Sequence, residues 1–105
     1  QRKHWIAHTL KPSGKITVDS GAGKAIVARG KSLLPAGVIK VEGKFEFGNA
    51  VRILGEDGVE IARGLVNYNF RDLGKIMGMK TGAVRRIFGE SFYEEVIHRD
   101  DLVVL

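Results

Sequence analysis

Cysteine does not occur in this 105-residue chain. Its absence excludes disulfide stapling, a cysteine nucleophile and any Cys-ligated metal or iron–sulfur site. It leaves the compartment open, since exported chains can also do without it. Long hydrophobic stretches are missing too: no uninterrupted apolar run approaches the roughly 20 residues that cross a bilayer. The N-terminal Gln1-Arg2-Lys3-His4-Trp5-Ile6-Ala7-His8 is basic and has no apolar run of the kind a secretory signal needs. There is no initiator methionine, so the sequence is expected to be a piece of a longer product. No repeat or low-complexity segment is present.

What the chain does contain is an ordinary globular mixture, 44% hydrophobic and 28% charged. That much apolar material offsets the chain entropy of folding, which points to one compact domain and excludes wholesale disorder. The net charge of +5 is unevenly spread. Residues 1–41 hold eight basic side chains against Asp19 alone, and residues 42–105 hold nine basic against eleven acidic. Within the second part, Arg63, Arg71, Lys75, Lys80, Arg85 and Arg86 face only Asp72, while residues 90–105 turn acidic. Two basic segments folded onto one face would attract phosphate backbones, with a strength that falls as salt rises. The same charge also suits a solvated surface or a docking surface on protein, and charge alone leaves all three open.

Glycine, with 14 residues, punctuates short periodic runs, a spacing that favours a small β-rich domain with tight turns. Ile16-Thr17-Val18 reads as a first strand. Asp19 or Ser20 is placed to cap a helix on which Ala22, Ala25, Ile26 and Arg29 recur at helical spacing and which Gly30 ends. The free amides of that helix offer a place for a phosphate. Ile39 and Val41 alternate with charged neighbours in the next strand, and Phe45 continues the inward set. Residues 50–54 and 59–66 form a hairpin around Gly55-Glu56-Asp57-Gly58, since Asp-Gly accepts hairpin backbone angles. Asn69 opens a helix from Phe70 to about Met77, with Asp72 reaching back as its N3 partner. Thr81 starts another, with Val84, Ile87 and Phe88 inward, and Gly89 ends it. Val96-Ile97 and residues 102–105 read as closing strands. The total is about six strands and three helices, with Leu34, Ile53, Leu65, Ile87 and Leu102 in the core. Closure of the sheet would remove its exposed edges.

The residues that carry chemistry elsewhere are poorly grouped here. Gly23-Lys24 is followed by Ala25, so the hydroxyl of a Walker motif is missing, and Gly30-Lys31-Ser32 lacks the earlier glycine because residue 25 is alanine. No Gly-x-Gly-x-x-Gly run sits in a βαβ setting. His4 and His8 are four apart without the glutamate that a zinc-protease helix needs. His98 adjoins Arg99, Asp100 and Asp101, which suits a turn with an ion pair; no nucleophile accompanies it. Of the rings, Trp5, Phe47 and Tyr93 are the ones expected outside the core. The chain therefore reads as a binding or accessory module.

Residues 25–38, Ala-Ile-Val-Ala-Arg-Gly-Lys-Ser-Leu-Leu-Pro-Ala-Gly-Val, resemble the first helix and following strand of PUA domains. Trp5-Ile6-Ala7, Leu10-Lys11-Pro12, Gly14, Thr17-Val18-Asp19, residues 60–68 (Glu-Ile-Ala-Arg-Gly-Leu-Val-Asn-Tyr) and Glu95-Val96-Ile97-His98-Arg99-Asp100 narrow the resemblance. They are similar to the C-terminal PUA region of bacterial glutamate 5-kinases, over almost the whole chain. Asn69-Phe70 and Asp101 depart from that pattern, at turns.

The resemblance implies a mainly β fold with short helices (α+β), a PUA-like β pseudo-barrel. It implies residues 1–12 as an interdomain connector, residues 13–105 as the PUA-like domain, and a catalytic amino-acid-kinase domain outside this chain. The parent would transfer the ATP γ-phosphate to the side-chain carboxylate of glutamate in proline biosynthesis, in the cytoplasm. ATP and magnesium would serve the kinase domain, so no catalytic, cofactor-binding or metal residue is carried over to this chain. Expected partners are the kinase domain and further copies in a homo-oligomer, with no membrane. A second expectation is structured RNA, held in a groove beside the first helix by Lys24, Arg29, Lys31 and Lys40, with Arg85 and Arg86 as additions.

Overall fold

The computed structural model describes residues 2–105. Five strands form one mixed sheet: β1 (Lys15–Val18), β2 (Val38–Glu42), β3 (Ala50–Leu54), β4 (Glu60–Leu65) and β5 (Leu102–Val104), in spatial order β2-β1-β3-β4-β5. Among the described residues four helices accompany it: α1 (Arg2–His8), α2 (Ser20–Arg29), α3 (Phe70–Ile76) and α4 (Thr81–Phe88). Two 3-10 turns, Pro35–Gly37 and Arg99–Asp101, lead into β2 and β5.

The expected pseudo-barrel does not form, and neither does a mainly β domain. The helices run 7, 10, 7 and 8 residues and the strands 4, 5, 5, 6 and 3, so helix outweighs strand. The sheet stays open because β2 and β5 lie at its opposite ends and do not pair. Val96-Ile97, expected as a closing strand, makes only one bridge, with Leu33. The chain then turns at once into the 3-10 segment Arg99–Asp101, so β5 arrives beside β4. Helices cover what closure would have hidden: α3 packs on β2, and α1 packs on β4 and β5. No helix among the described residues is long and apolar enough to cross a membrane.

Local signals fix most elements. The Asp19 carboxylate accepts the Ala22 amide at 2.7 Å, which caps α2, and Gly30 ends it with φ 61° and ψ 33°. Asn69 accepts the Asp72 amide at 2.8 Å and opens α3. The β3–β4 hairpin turns where Asp-Gly was read, with Ile53 opposite Ala62. The apolar interior comprises Ile16, Val18, Ile26, Leu33, Phe45, Ile53, Leu73, Val84 and Ile97, each 0% exposed, together with further residues from every strand.

Several expected core positions lie outside it, among them Leu65, which ends β4 only half-buried. In β2 the inward place belongs to Val38, at 1% exposure, while Ile39 is exposed. A register irregularity between Thr17 and Val18 sets Val18 opposite Val38 and shifts the phase of the alternation. Leu34 is exposed because the chain turns there into Pro35–Gly37, and Leu33 takes the interior position. On α4, Val84 is buried with Phe88 half-buried beside it, and Ile87 falls off that narrow stripe into solvent.

Candidate functional site

A cleft of about 630 Å3 lies between α2, the loop 31–37 and the segment 95–99. Its floor is made of small residues, Ala22, Ala25, Ala36 and Gly37, with Leu34 beside them. This flatness comes from close packing: a Cβ on Gly37 would lie 2.5 Å from the Cβ of Ala22. Its rim carries Lys31 and Arg99 against Asp19 and Glu95, with Ser32 and His98 between.

Hydrogen bonds hold that rim. The Ser32 hydroxyl accepts the Arg99 amide at 2.7 Å, and Leu33 and Ile97 exchange main-chain bonds next to it. The Asp100 amide donates to Nδ1 of His98 at 3.1 Å, which leaves Nε2 to carry the proton of the neutral ring. His98 thus caps the 3-10 turn, the turn role its neighbours suggested. The Asp19 carboxylate and carbonyl take the Ala22 and Gly23 amides, so a negative side chain already stands where the sequence offered α2 amides to a phosphate.

The six expected anion contacts are scattered. Lys31 alone lines the cleft. Lys24 lines a separate groove of about 500 Å3, beside Glu56 and Asp57. Arg29 lies five residues further along α2, roughly 140° around the helix from Lys24. Lys40 stands on edge strand β2, 3.7 Å from Glu42. Arg85 and Arg86 share α4, where Arg85 lies 3.6 Å from Glu90 and over the Phe92 ring. Sequence reading missed Arg99, Ser32 and Glu95 as cleft residues. Ser32 ends an incomplete P-loop pattern and Arg99 sits in a turn with an ion pair; both also lie in the stretches that resemble PUA domains, but neither signal points to a cleft. The Leu33–Ile97 bridge that unites them joins positions 64 residues apart.

The cleft holds cations and carboxylates without a nucleophile–base pair. Among the described residues, no group of three His, Cys, Asp or Glu side chains is arranged to hold a metal ion. The geometry is that of a small mixed α/β domain whose capped helix flanks an open sheet. The chain belongs to the PUA domain family, whose model matches residues 14–88. It is 56% identical to the glutamate 5-kinase of Geobacter sulfurreducens over 105 residues, which is 100% of this chain and 28% of the relative. Identity to the glutamate 5-kinase of Thermoanaerobacter pseudethanolicus is 50%, over 99% of this chain and 28% of that enzyme. The chain thus corresponds to a portion spanning 28% of the length of these relatives. Among solved structures it is similar to a PUA domain from Aeropyrum pernix in a tartrate complex, with a TM-score of 0.59 and 26% identity. That likeness covers 83% of this chain and 43% of the other. A conserved PUA domain protein from Thermoplasma acidophilum shares the fold, with a TM-score of 0.54 and 18% identity over 90% of this chain and 53% of that one.

Proposed function

We propose that the chain is the non-catalytic accessory and regulatory domain of a cytoplasmic glutamate 5-kinase. The parent enzyme transfers the γ-phosphate of ATP to the side-chain carboxylate of L-glutamate and forms glutamyl 5-phosphate for proline biosynthesis. The observation that carries this reading is the 56% identity over the entire chain to 28% of such an enzyme. ATP and magnesium serve the part of the parent outside this chain, and no residue here is assigned to them.

In this reading residues 1–12 connect the kinase domain to residues 13–105. Ile6, 1% exposed, supports it, as do the Arg2–Asp101 ion pair and the bond that Arg63 donates to the Ala7 carbonyl. A connector anchored at these points fixes how the two domains sit, and the domain acts on assembly or regulation through that geometry. Removing the region equivalent to residues 10–105 from the parent enzyme tests this. Altered oligomeric state, thermal stability or regulation with some turnover retained is expected; unchanged behaviour in all three contradicts it.

A second reading, structured RNA in the cleft, draws on Lys31 and Arg99 at its rim. Lys24, Arg29, Lys40, Arg85 and Arg86 would then act as outlying phosphate contacts. Their scatter, and Asp19 and Glu95 at the same rim, favour the accessory role. Binding of a structured RNA that weakens steeply with salt, and weakens further in Lys31→Ala, would favour RNA. No binding at low salt ends that reading.

A further inference from the structure

On another part of the surface, the loops after β2, β4 and α4, with Phe88 at the end of α4, gather Phe47, Tyr68, Phe92 and Tyr93 around a pocket of about 250 Å3 with Asp72 in its wall. The Phe47 and Tyr93 rings lie 5.3 Å apart between centroids, tilted by 52°, and Tyr68 meets Tyr93 edge-on at 6.4 Å. Tyr68 is buried and donates its hydroxyl to the Tyr93 carbonyl, which ties the wall to the rim. Phe47 and Tyr93, by contrast, are 55% and 50% exposed. Hydrophobic burial does not account for these two rings, which are held in place yet open to water.

The neighbouring rings show what such faces attract. The Arg71 guanidinium sits 4.9 Å from the centre of Phe70, and that of Arg85 5.4 Å from Phe92. Among the described residues, no cation stands over Phe47 or Tyr93. Carboxylates stand nearby: exposed Glu46 and Glu94 adjoin the two rings in the chain, and Asp72 lines the pocket. Burial first, then the charges of Asp72 and Glu95, hold the Tyr68 phenol above its ordinary pKa. Lys75, 3.8 Å from Asp72, and Arg71, 4.0 Å from Glu46, are more than half exposed, so water screens both long pairs.

Size narrows the occupant. A pocket of this volume falls below the roughly 300–1,000 Å3 of small-molecule sites and suits one side chain. Aromatic faces beside a carboxylate select a cation. We propose that the Phe47–Tyr68–Tyr93 pocket, with Asp72 in its wall, receives one arginine or lysine side chain presented by a partner protein. The same carboxylates repel a phosphate backbone, which disfavours a stacked nucleobase at these rings.

The test is an amide-resolved NMR titration of the chain with N-acetyl-arginine amide, beside its neutral isostere N-acetyl-citrulline amide. Saturable shifts at Phe47, Asn69 and Tyr93 are expected for the arginine compound, with the citrulline compound weaker by about five-fold. Phe47→Ala and Tyr93→Ala, both at exposed rings, are each expected to weaken arginine binding by about two- to five-fold while the spectrum stays folded. Equal binding of citrulline, no saturable shift at these amides, or stronger shifts there from a short oligouridylate would each overturn the proposal.

Discussion

Gly37 and Ala22 touch so closely that a Cβ on Gly37 would stand 2.5 Å from that of Ala22. The contact seats the loop 31–37 against α2 and flattens the cleft floor. Gly37→Ala must push the two apart, and overpacking of this kind costs about 1–3 kcal/mol. Urea unfolding checks this. Unchanged stability would show that the loop can shift freely and that the floor is not set by this contact.

Adjacent leucines make a sharper comparison. Leu33 is 0% exposed and bridges Ile97, whereas Leu34 is 44% exposed at the cleft. Leu33→Ala is expected to lose about 2–5 kcal/mol. Leu34→Ala should lose about 1 kcal/mol or less. Denaturation midpoints of the two variants decide it; equal losses would contradict the placement.

The Asp19 carboxylate caps α2 at 2.7 Å from the Ala22 amide. Asp19→Ala removes that acceptor and should cost about 1 kcal/mol, with Asp19→Asn retaining most of the stability. Thermal unfolding of both variants checks the cap. An alanine variant as stable as the parent would refute it.

Tyr68 gives the stability a pH dependence at the alkaline end. Burial foremost, then the nearby Asp72 and Glu95 carboxylates, raise its pKa above the 10.0 of a free phenol. The folded chain therefore holds the proton more tightly than the unfolded chain does. The associated stability is fully present below pH 10 and is lost as pH rises from there through the folded pKa. Urea unfolding between pH 9 and pH 11 should show a steeper fall for the parent than for Tyr68→Phe. Parallel curves would remove Tyr68 as the cause.

Short-range chemistry made much of this fold legible. Asp19, Asn69 and Gly30 cap helices where their side chains or backbone freedom permit, and the Asp-Gly turn sets the β3–β4 hairpin. Trp5, Phe47 and Tyr93 lie on the surface as expected. The open sheet was not legible, because closure depends on whether Val96-Ile97 continues as a strand or turns away, which is a long-range outcome. Nor was the phase of β2, because the irregularity opposite Thr17 and Val18 leaves no mark in residues 38–42. The cleft was legible only on the side of α2 and the loop that follows it. Lys31 was named, but Arg99 and Glu95 reach the rim through pairing of Leu33 with Ile97, which local periodicity does not encode.

On its own, this domain is expected to carry out no phosphoryl transfer. Incubating the purified chain with ATP, magnesium and glutamate and following ADP tests it most directly. No ADP formation that depends on glutamate is expected. Glutamate-dependent ADP release by the chain alone would contradict it.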